Sequence, residues 1–455
     1  MDMKRKNVIW ILSDQQRASA MSVSGDPNLH TPNLDILAKT GVNFTDAVSG
    51  FPLCCPFRGS MLTGLYPHKA VNGHEVRLDE NQKTIAHVMN ENGYDTFYLG
   101  KWHLDGFHES EGRAAHHAIP PERQGGFKRW VGYENNNSPW DCWVHETNDG
   151  KDFEFRLNGF ETDVLTDMMV DYLEKQAERR HSGDDTPFFA VLSVQPPHDP
   201  YIAPPEFMKK HNPSDLIFRE NVPNVEYVRK QASAELSGYY AMIENLDWNI
   251  GRIVACLNQT DLYRDTHILF FSDHGDMLGS HGQFRKTTPY EEAVRVPFLI
   301  SGEHPMGYDN RGCGEVPGVF INHADIAPTT LGLCGIEPPD WMQGVDYSHY
   351  RLPDHKRYDE PDSAYLQSVI PTRHHDSIDK PWRGIITKDG YKYVCFEQIP
   401  WLMFDLNADP YEQVNLAHNS KYHEKLADLN RKAREWAERL GDPFPFPAVT
   451  ASYTE

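Results

Sequence analysis

Along the chain, short apolar runs alternate with amphipathic stretches. Residues 7–13 (NVIWILS), 187–194 (PFFAVLSV) and 266–272 (THILFFS) are almost wholly apolar. Runs of this length and composition predict strands buried on both faces, as in a parallel sheet. Residues 95–99 (DTFYL) predict a further strand. Between the strands, residues 32–40 and 84–92 carry helical spacing and stop at Gly41 and Gly93. Residues 60–65, 163–178 and 235–257 also predict helices. Strands alternating with helices predict an α/β protein built on a large, mostly parallel or mixed sheet flanked by helices.

The pattern changes after about residue 340. Residues 350–382 are rich in Pro, Asp and His and predict a loop or linker. Lys388-Asp389-Gly390-Tyr391 between two apolar stretches predicts a hairpin over 383–396. Residues 421–439 predict a charged amphipathic helix. The expected organisation is a large α/β domain over 1–355 and a smaller C-terminal α+β unit with an antiparallel sheet over 356–455. Residues 105–160 are weakly periodic and rich in His, Asn and Trp, as binding loops often are.

Charge narrows the function. Lys and Arg number 44 against 66 Asp and Glu, a formal net charge of −22 over 455 residues. So acidic a chain is a poor match for a nucleic-acid backbone. No apolar run approaches the roughly 18 residues of a membrane span. The basic start, Lys4-Arg5-Lys6, precedes an apolar run over 8–12 that is too short for a signal h-region. The chain as it stands reads as cytoplasmic, or as periplasmic or secreted after removal of a leader. Seven cysteines, an odd and modest number, argue against a disulfide scaffold.

Two acidic pairs close predicted strands: Asp14-Gln15 and Asp273-His274. Ligands of open parallel sheets bind beyond such carboxyl ends. Mostly oxygen donors suit a hard divalent ion such as Ca2+, Mg2+ or Mn2+. The alternative for either pair alone is an ordinary strand-ending turn. In Cys54-Cys55-Pro56-Phe57-Arg58, Pro56 suits the first turn of a helix. Cys54 then sits near the positive end of that helix, where anions are favoured, with Arg58 one turn on. The alternative is a pair of buried structural cysteines. A Zn site lacks a second ligand pair at suitable spacing.

Cys54-x-Pro56-x-Arg58 with Thr63-Gly64 resembles the signature of the type I sulfatases, in the alkaline phosphatase superfamily. Further segments match in order: the strand ending at Asp14, Thr31 to Asp35, Gly41 to Thr45, Gly100-Lys101-Trp102-His103 and Pro197-His198. Asp273-His274-Gly275 with Gly279 to Gly282, then Lys286, Tyr290 to Pro297, and Phe404 to Pro410 with Asn415-Leu416 complete the series. The resemblance covers about residues 7–418. Two positions depart from it. Phe57 stands where Ser or Ala is usual, and Gln15 where many sulfatases carry a second aspartate. The Asp-Gln form also occurs in the phosphonate monoester hydrolase branch.

The resemblance implies an alkaline phosphatase-like fold and conversion of Cys54 to formylglycine by a maturation enzyme. It implies one divalent metal held by Asp14, Gln15, Asp273, His274 and the modified Cys54, Ca2+ first and Mn2+ or Mg2+ as alternatives. Arg58 would orient the hydrated aldehyde, and Lys101 and Lys286 would contact sulfate oxygens. His198 would protonate the leaving alcohol, and His103 would take a proton from the second hydroxyl. The leading reading is hydrolysis of a small-molecule or carbohydrate sulfate ester. The alternatives are a phosphonate monoester or phosphodiester hydrolase, and a silent protein that binds sulfated glycans. His281 reads as a turn histidine or a support for the site. His116, His117, His374 and His375 read as loop residues, and the aromatic residues of 130–143 as sugar platform or core.

Overall fold

The computed structural model describes residues 5–148, 151–302, 312–373 and 378–449. His374 and His375 lie outside the described residues. The run Asn7–Ser13 forms β1, buried along its whole length at the centre of a ten-stranded sheet. The other strands in chain order are β2 (Val42–Phe44), β3 (Asp95–Lys101), β4 (Arg129–Tyr133), β5 (Trp143–Asn148), β6 (Lys151–Arg156), β7 (Phe188–Ser193), β8 (Thr266–Ser272), β9 (Phe298–Gly302) and β10 (Gly314–Val316). Their lateral order is β10-β2-β9-β8-β1-β7-β3-β4-β5-β6. The middle five, β8-β1-β7-β3-β4, run parallel. β9 is antiparallel to β8 and β2, and β5 and β6 extend the far edge antiparallel.

Alternation along β1 divides the core. Val8, Trp10 and Leu12 pack with Phe57, Met61 and Leu62 of the helix Cys54–Thr63 on one side. Ile9 and Ile11 pack on the other with Leu165 and Met169 of Glu161–His181 and Leu246 and Ile250 of Glu226–Gln259. A period of two in side-chain direction makes one apolar strand serve both layers. This is the helix-flanked mixed sheet that the sequence predicts.

The C-terminal sheet is antiparallel: β11 (Ser363–Ser368), β12 (Trp382–Thr387), β13 (Tyr391–Phe396) and β14 (Ile399–Asp405), in that order. The predicted hairpin is β12–β13, turning at Gly390 with φ 83°. The helix His423–Leu440 covers one face. The other face packs Ile386, Val394 and Leu402 against Val48, Val294 and Phe320.

Three sequence expectations need correction. Residues 105–160 are not wholly irregular, since they supply β4, β5 and β6. Their backbone hydrogen bonds come from β3 and from one another, so no strong apolar period is required. The expected linker over 350–382 contains β11, whose polar Gln367 and Ser368 are fully buried and hide the strand pattern. The helix expected at 60–65 begins at Cys54 and is buried at every position, which erases its amphipathic period. The seven cysteines form no disulfide among the described residues. Among the described residues no helix is long and apolar enough to cross a membrane.

Candidate active site

Four neighbouring parallel strands deliver the predicted residues from their carboxyl ends. β8 leads to Asp273 and His274, β1 to Asp14 and Gln15, β7 to His198, and β3 ends on Lys101 with His103 two residues beyond. The close approach of β3 to β7 depends on Gly100, at φ 107°. A Cβ there would lie 2.0 Å from the Ser193 carbonyl oxygen. That approach brings the Lys101 carbonyl and the Ser193 hydroxyl to one Arg58 Nη1, which donates to them at 2.9 and 2.8 Å.

Cys54 is the first residue of its helix and is 2% exposed. Its Sγ lies 3.2 Å from His274 Nε2, 3.6 Å from Asp14 Oδ1 and 3.5 Å from Lys286 Nζ. One turn later, Arg58 Nη2 donates to Asp14 Oδ2 at 3.0 Å and reaches Asp273 Oδ2 at 3.5 Å. Lys101 Nζ pairs with Asp14 Oδ2 at 2.7 Å. All of these side chains are buried. Burial pushes the Asp14 carboxyl up, but the Lys101 and Arg58 charges outweigh it and hold the group well below the usual carboxylate range. Burial and the Asp14 charge push Asp273 the other way, up to about 7.

The ligand atoms of Asp14, Cys54, Asp273 and His274 lie within 4.8 Å of one another. The tautomer of His274 is set by its surroundings. Nδ1 donates to the Gly275 carbonyl at 2.9 Å, which turns the Nε2 lone pair toward Cys54 and the carboxylates. Two converging carboxylates and an oriented imidazole are a donor set that fits a hard divalent ion. Gln15, at φ 71°, has its amide fixed at both ends. Nε2 donates to Asp276 Oδ2 at 2.6 Å, and Oε1 accepts from Lys286 at 2.8 Å.

The two histidines are both neutral here. His103 is held well below the usual imidazole range by burial and by Lys101. Its Nδ1 has no partner among the described residues. His198 is pushed down to about 3 by burial and by Lys286. Its Nδ1 donates to the Asp199 carbonyl at 2.8 Å, and its Nε2 accepts from Lys286 Nζ at 2.7 Å.

A cavity of about 200 Å³ opens above Cys54, His103, His198 and Lys286. His74, Glu109, Asn135, Asn137 and Arg373 also line it, and no motif marks them in the sequence. The signal for three of them was their place in residues 105–160. Glu109 Oε1 accepts from the Asn135 and Asn137 amides at 2.6 and 3.3 Å. Gln195 Nε2 donates to the Oδ1 atoms of both asparagines. Phe57 does not face this cavity. It is 1% exposed and packs on Phe271 and His323 in the core. Trp130 packs with Tyr98 and Trp102 in the same core rather than forming a sugar platform. His281 stacks on Tyr290 at 4.1 Å, in a separate group with Glu292 and Glu412.

Residues 6–336 match the family model described as Sulfatase, and 279–439 match that of the N-sulphoglucosamine sulphohydrolase C-terminal region. The chain is 36% identical to the ulvan-active sulfatase of Formosa agariphila over 446 residues, covering 97% of this chain and 82% of that one. It is 30% identical over 512 residues to the multifunctional alkaline phosphatase superfamily protein PehA of Trinickia caryophylli, covering 95% of each. The crystal structure of YidJ from Bacteroides fragilis superposes with a TM-score of 0.85 at 27% identity, covering 98% of both chains. With its alkaline phosphatase-like sheet and this full-length similarity, the chain belongs to the sulfatase family and is a sulfuric ester hydrolase.

Proposed function

We propose that the reaction uses formylglycine made from Cys54 by a maturation enzyme, together with one divalent ion, Ca2+ first and Mn2+ or Mg2+ as alternatives. The observation that carries this reading is the meeting of Cys54, Asp14, Asp273 and His274 within 4.8 Å, walled by buried cations. Asp14, Gln15, Asp273 and His274 would hold the ion. When bound, the ion lowers the pKa of a hydroxyl and neutralises charge on the sulfate. The hydrated aldehyde supplies two hydroxyls, one to displace the alcohol from sulfur and one whose deprotonation releases sulfate.

The remaining work falls to the chain's own side chains. Arg58 is locked by the Lys101 carbonyl, Ser193 and both carboxylates, so it keeps the nucleophile's position rigid. Lys101 and Lys286 bring positive charge to the sulfate oxygens without reorganising at the moment of reaction. The alcohol leaves with the proton that Lys286 and His198 share across 2.7 Å. An anionic sulfate beside this pair favours the charged imidazole, which moves that proton onto His198 for transfer. His103, buried and neutral with an open Nδ1, is fit to take the proton of the second hydroxyl. The substrate class we propose is a carbohydrate or other small sulfate ester, as the similarity to the ulvan-active sulfatase suggests.

Gln15 in place of a second aspartate, with the similarity to PehA, keeps phosphonate or phosphodiester hydrolysis as the second reading. Two measurements decide. The Cys54 peptide from protein made in its native host is expected to show the mass loss of thiol-to-aldehyde conversion. An unmodified thiol would overturn the formylglycine reading. Side by side, an aryl sulfate is expected to turn over faster than an aryl phosphonate, and the reverse order would favour the second reading.

A further inference from the structure

The sulfate-facing cations are accounted for. Arg58 and Lys101 pair with Asp14, and Lys286 is held by Gln15 and His198. Arg373 is different. It lines the same cavity, yet its guanidinium makes no hydrogen bond or ion pair among the described residues. It is exposed, where the sulfate-facing cations are buried. Its backbone sits at φ 53°, a left-handed conformation that a non-glycine residue adopts only at a cost. The Arg373 N–H holds that conformation by donating to Asp379 Oδ1 at 2.9 Å. In a chain with 66 acidic and 44 basic residues, a cation that no described residue neutralises, beside the reactive centre, is out of character with the surface. A guanidinium presents a planar fork that matches an oxyanion with two parallel hydrogen bonds.

We propose that Arg373 is a specificity-determining residue that receives a second anionic group of the substrate, a carboxylate or a further sulfate, beside the ester that is cleaved. This rests on the sulfatase reading of the Cys54 site. The cavity volume of about 200 Å³ lies below the usual range of about 300–1,000 Å³ for small-molecule sites, so it takes one terminal unit. The second anion therefore lies on that unit or on its immediate neighbour, at the cavity edge. The Glu109–Asn135–Asn137 group offers amide donors and a carboxylate acceptor to hydroxyls of the same unit.

The test uses the full, matured chain and three sulfated disaccharides that differ in the second group: hydroxyl, carboxylate or sulfate. An aryl sulfate serves as a fourth substrate. The wild-type protein is expected to prefer a dianionic disaccharide over the hydroxyl form by about tenfold in kcat/KM, the order of one charge-assisted contact. Arg373→Ala is expected to erase that preference through KM, and Arg373→Lys to restore part of it. The preference is expected to shrink with added salt. Whether the carboxylate or the sulfate form carries it names the source of the anion. Absence of any preference in the wild type, or a preference unchanged in Arg373→Ala, would overturn the proposal. If the wild type fails even on the aryl sulfate, the sulfatase mechanism itself falls, and that outcome is distinct from a lost preference.

Discussion

At the floor of the Cys54 cavity, Asp14, Asp273, Arg58 and Lys101 are fully buried, and opposite charges meet within 3.5 Å. Around its mouth the buried groups are neutral. Buried Asn135 and Gln195 and exposed Asn137 meet through their amides, and Glu161 behind them accepts from the Gln195 N–H and the Tyr133 hydroxyl. Burial pushes the Glu161 carboxyl up to about 7. Both regions hide polar atoms from water, but they offset that cost differently. The floor uses charge against charge on rigid strand ends, which suits a reaction that develops charge. The mouth uses hydrogen bonds between loops, which suits the recognition of hydroxyls.

The largest effect is expected at the floor. Arg58→Gln leaves Asp14 and Asp273 with one cation fewer and is expected to destabilise the fold by about 3–5 kcal/mol, read by urea denaturation after dialysis against a chelator. A loss below about 1 kcal/mol would mean that charge compensation does not hold the floor together. Adding Ca2+ back is expected to raise the midpoint of the wild type, because an ion that binds only the folded state stabilises it.

A smaller effect separates the mouth. Folded Glu161 keeps a proton up to about pH 7, while the unfolded chain releases it near pH 4.5. Between those values the folded state binds more protons, so this group's contribution makes stability fall as pH rises. Glu161→Gln is expected to remove about 2–3 kcal/mol of that fall, seen as a flatter stability curve than the wild type from pH 4.5 to 7. Parallel curves for the two proteins would show Glu161 to be ionised and the mouth to be ionic after all.

The smallest effect lies where floor meets wall. Gln15→Asp sets a carboxylate against Asp276, which now accepts the Gln15 amide at 2.6 Å. Adding Asp276→Asn is expected to recover most of the loss, with a coupling of about 1–2 kcal/mol in a double-mutant cycle. Additive effects would show that Asp276 does not orient Gln15.

Much of the floor was legible along the chain. The runs that became β1 and β8 are apolar because both faces are buried, and the polar residues that end them had to lie at the sheet's carboxyl edge. Cys54 and Arg58 share one helix, so one turn of spacing set their relation before any tertiary contact was known. Less of the mouth was legible. Asn135, Gln195 and Glu109 carry no local signal, and only the pairing of β3 with β4 and β7 brings their loops together.

The sequence by itself determined the layered sheet and the strand-end carboxylates, because both follow from local periodicity. Tertiary structure alone decided which way the Gln15 amide points, that His198 Nε2 meets Lys286 Nζ, and that the Arg373 guanidinium is left without a partner among the described residues. Hydrogen-bond orientation and charge compensation depend on atoms delivered from strands and loops far apart in the chain, and no local pattern of residues encodes them.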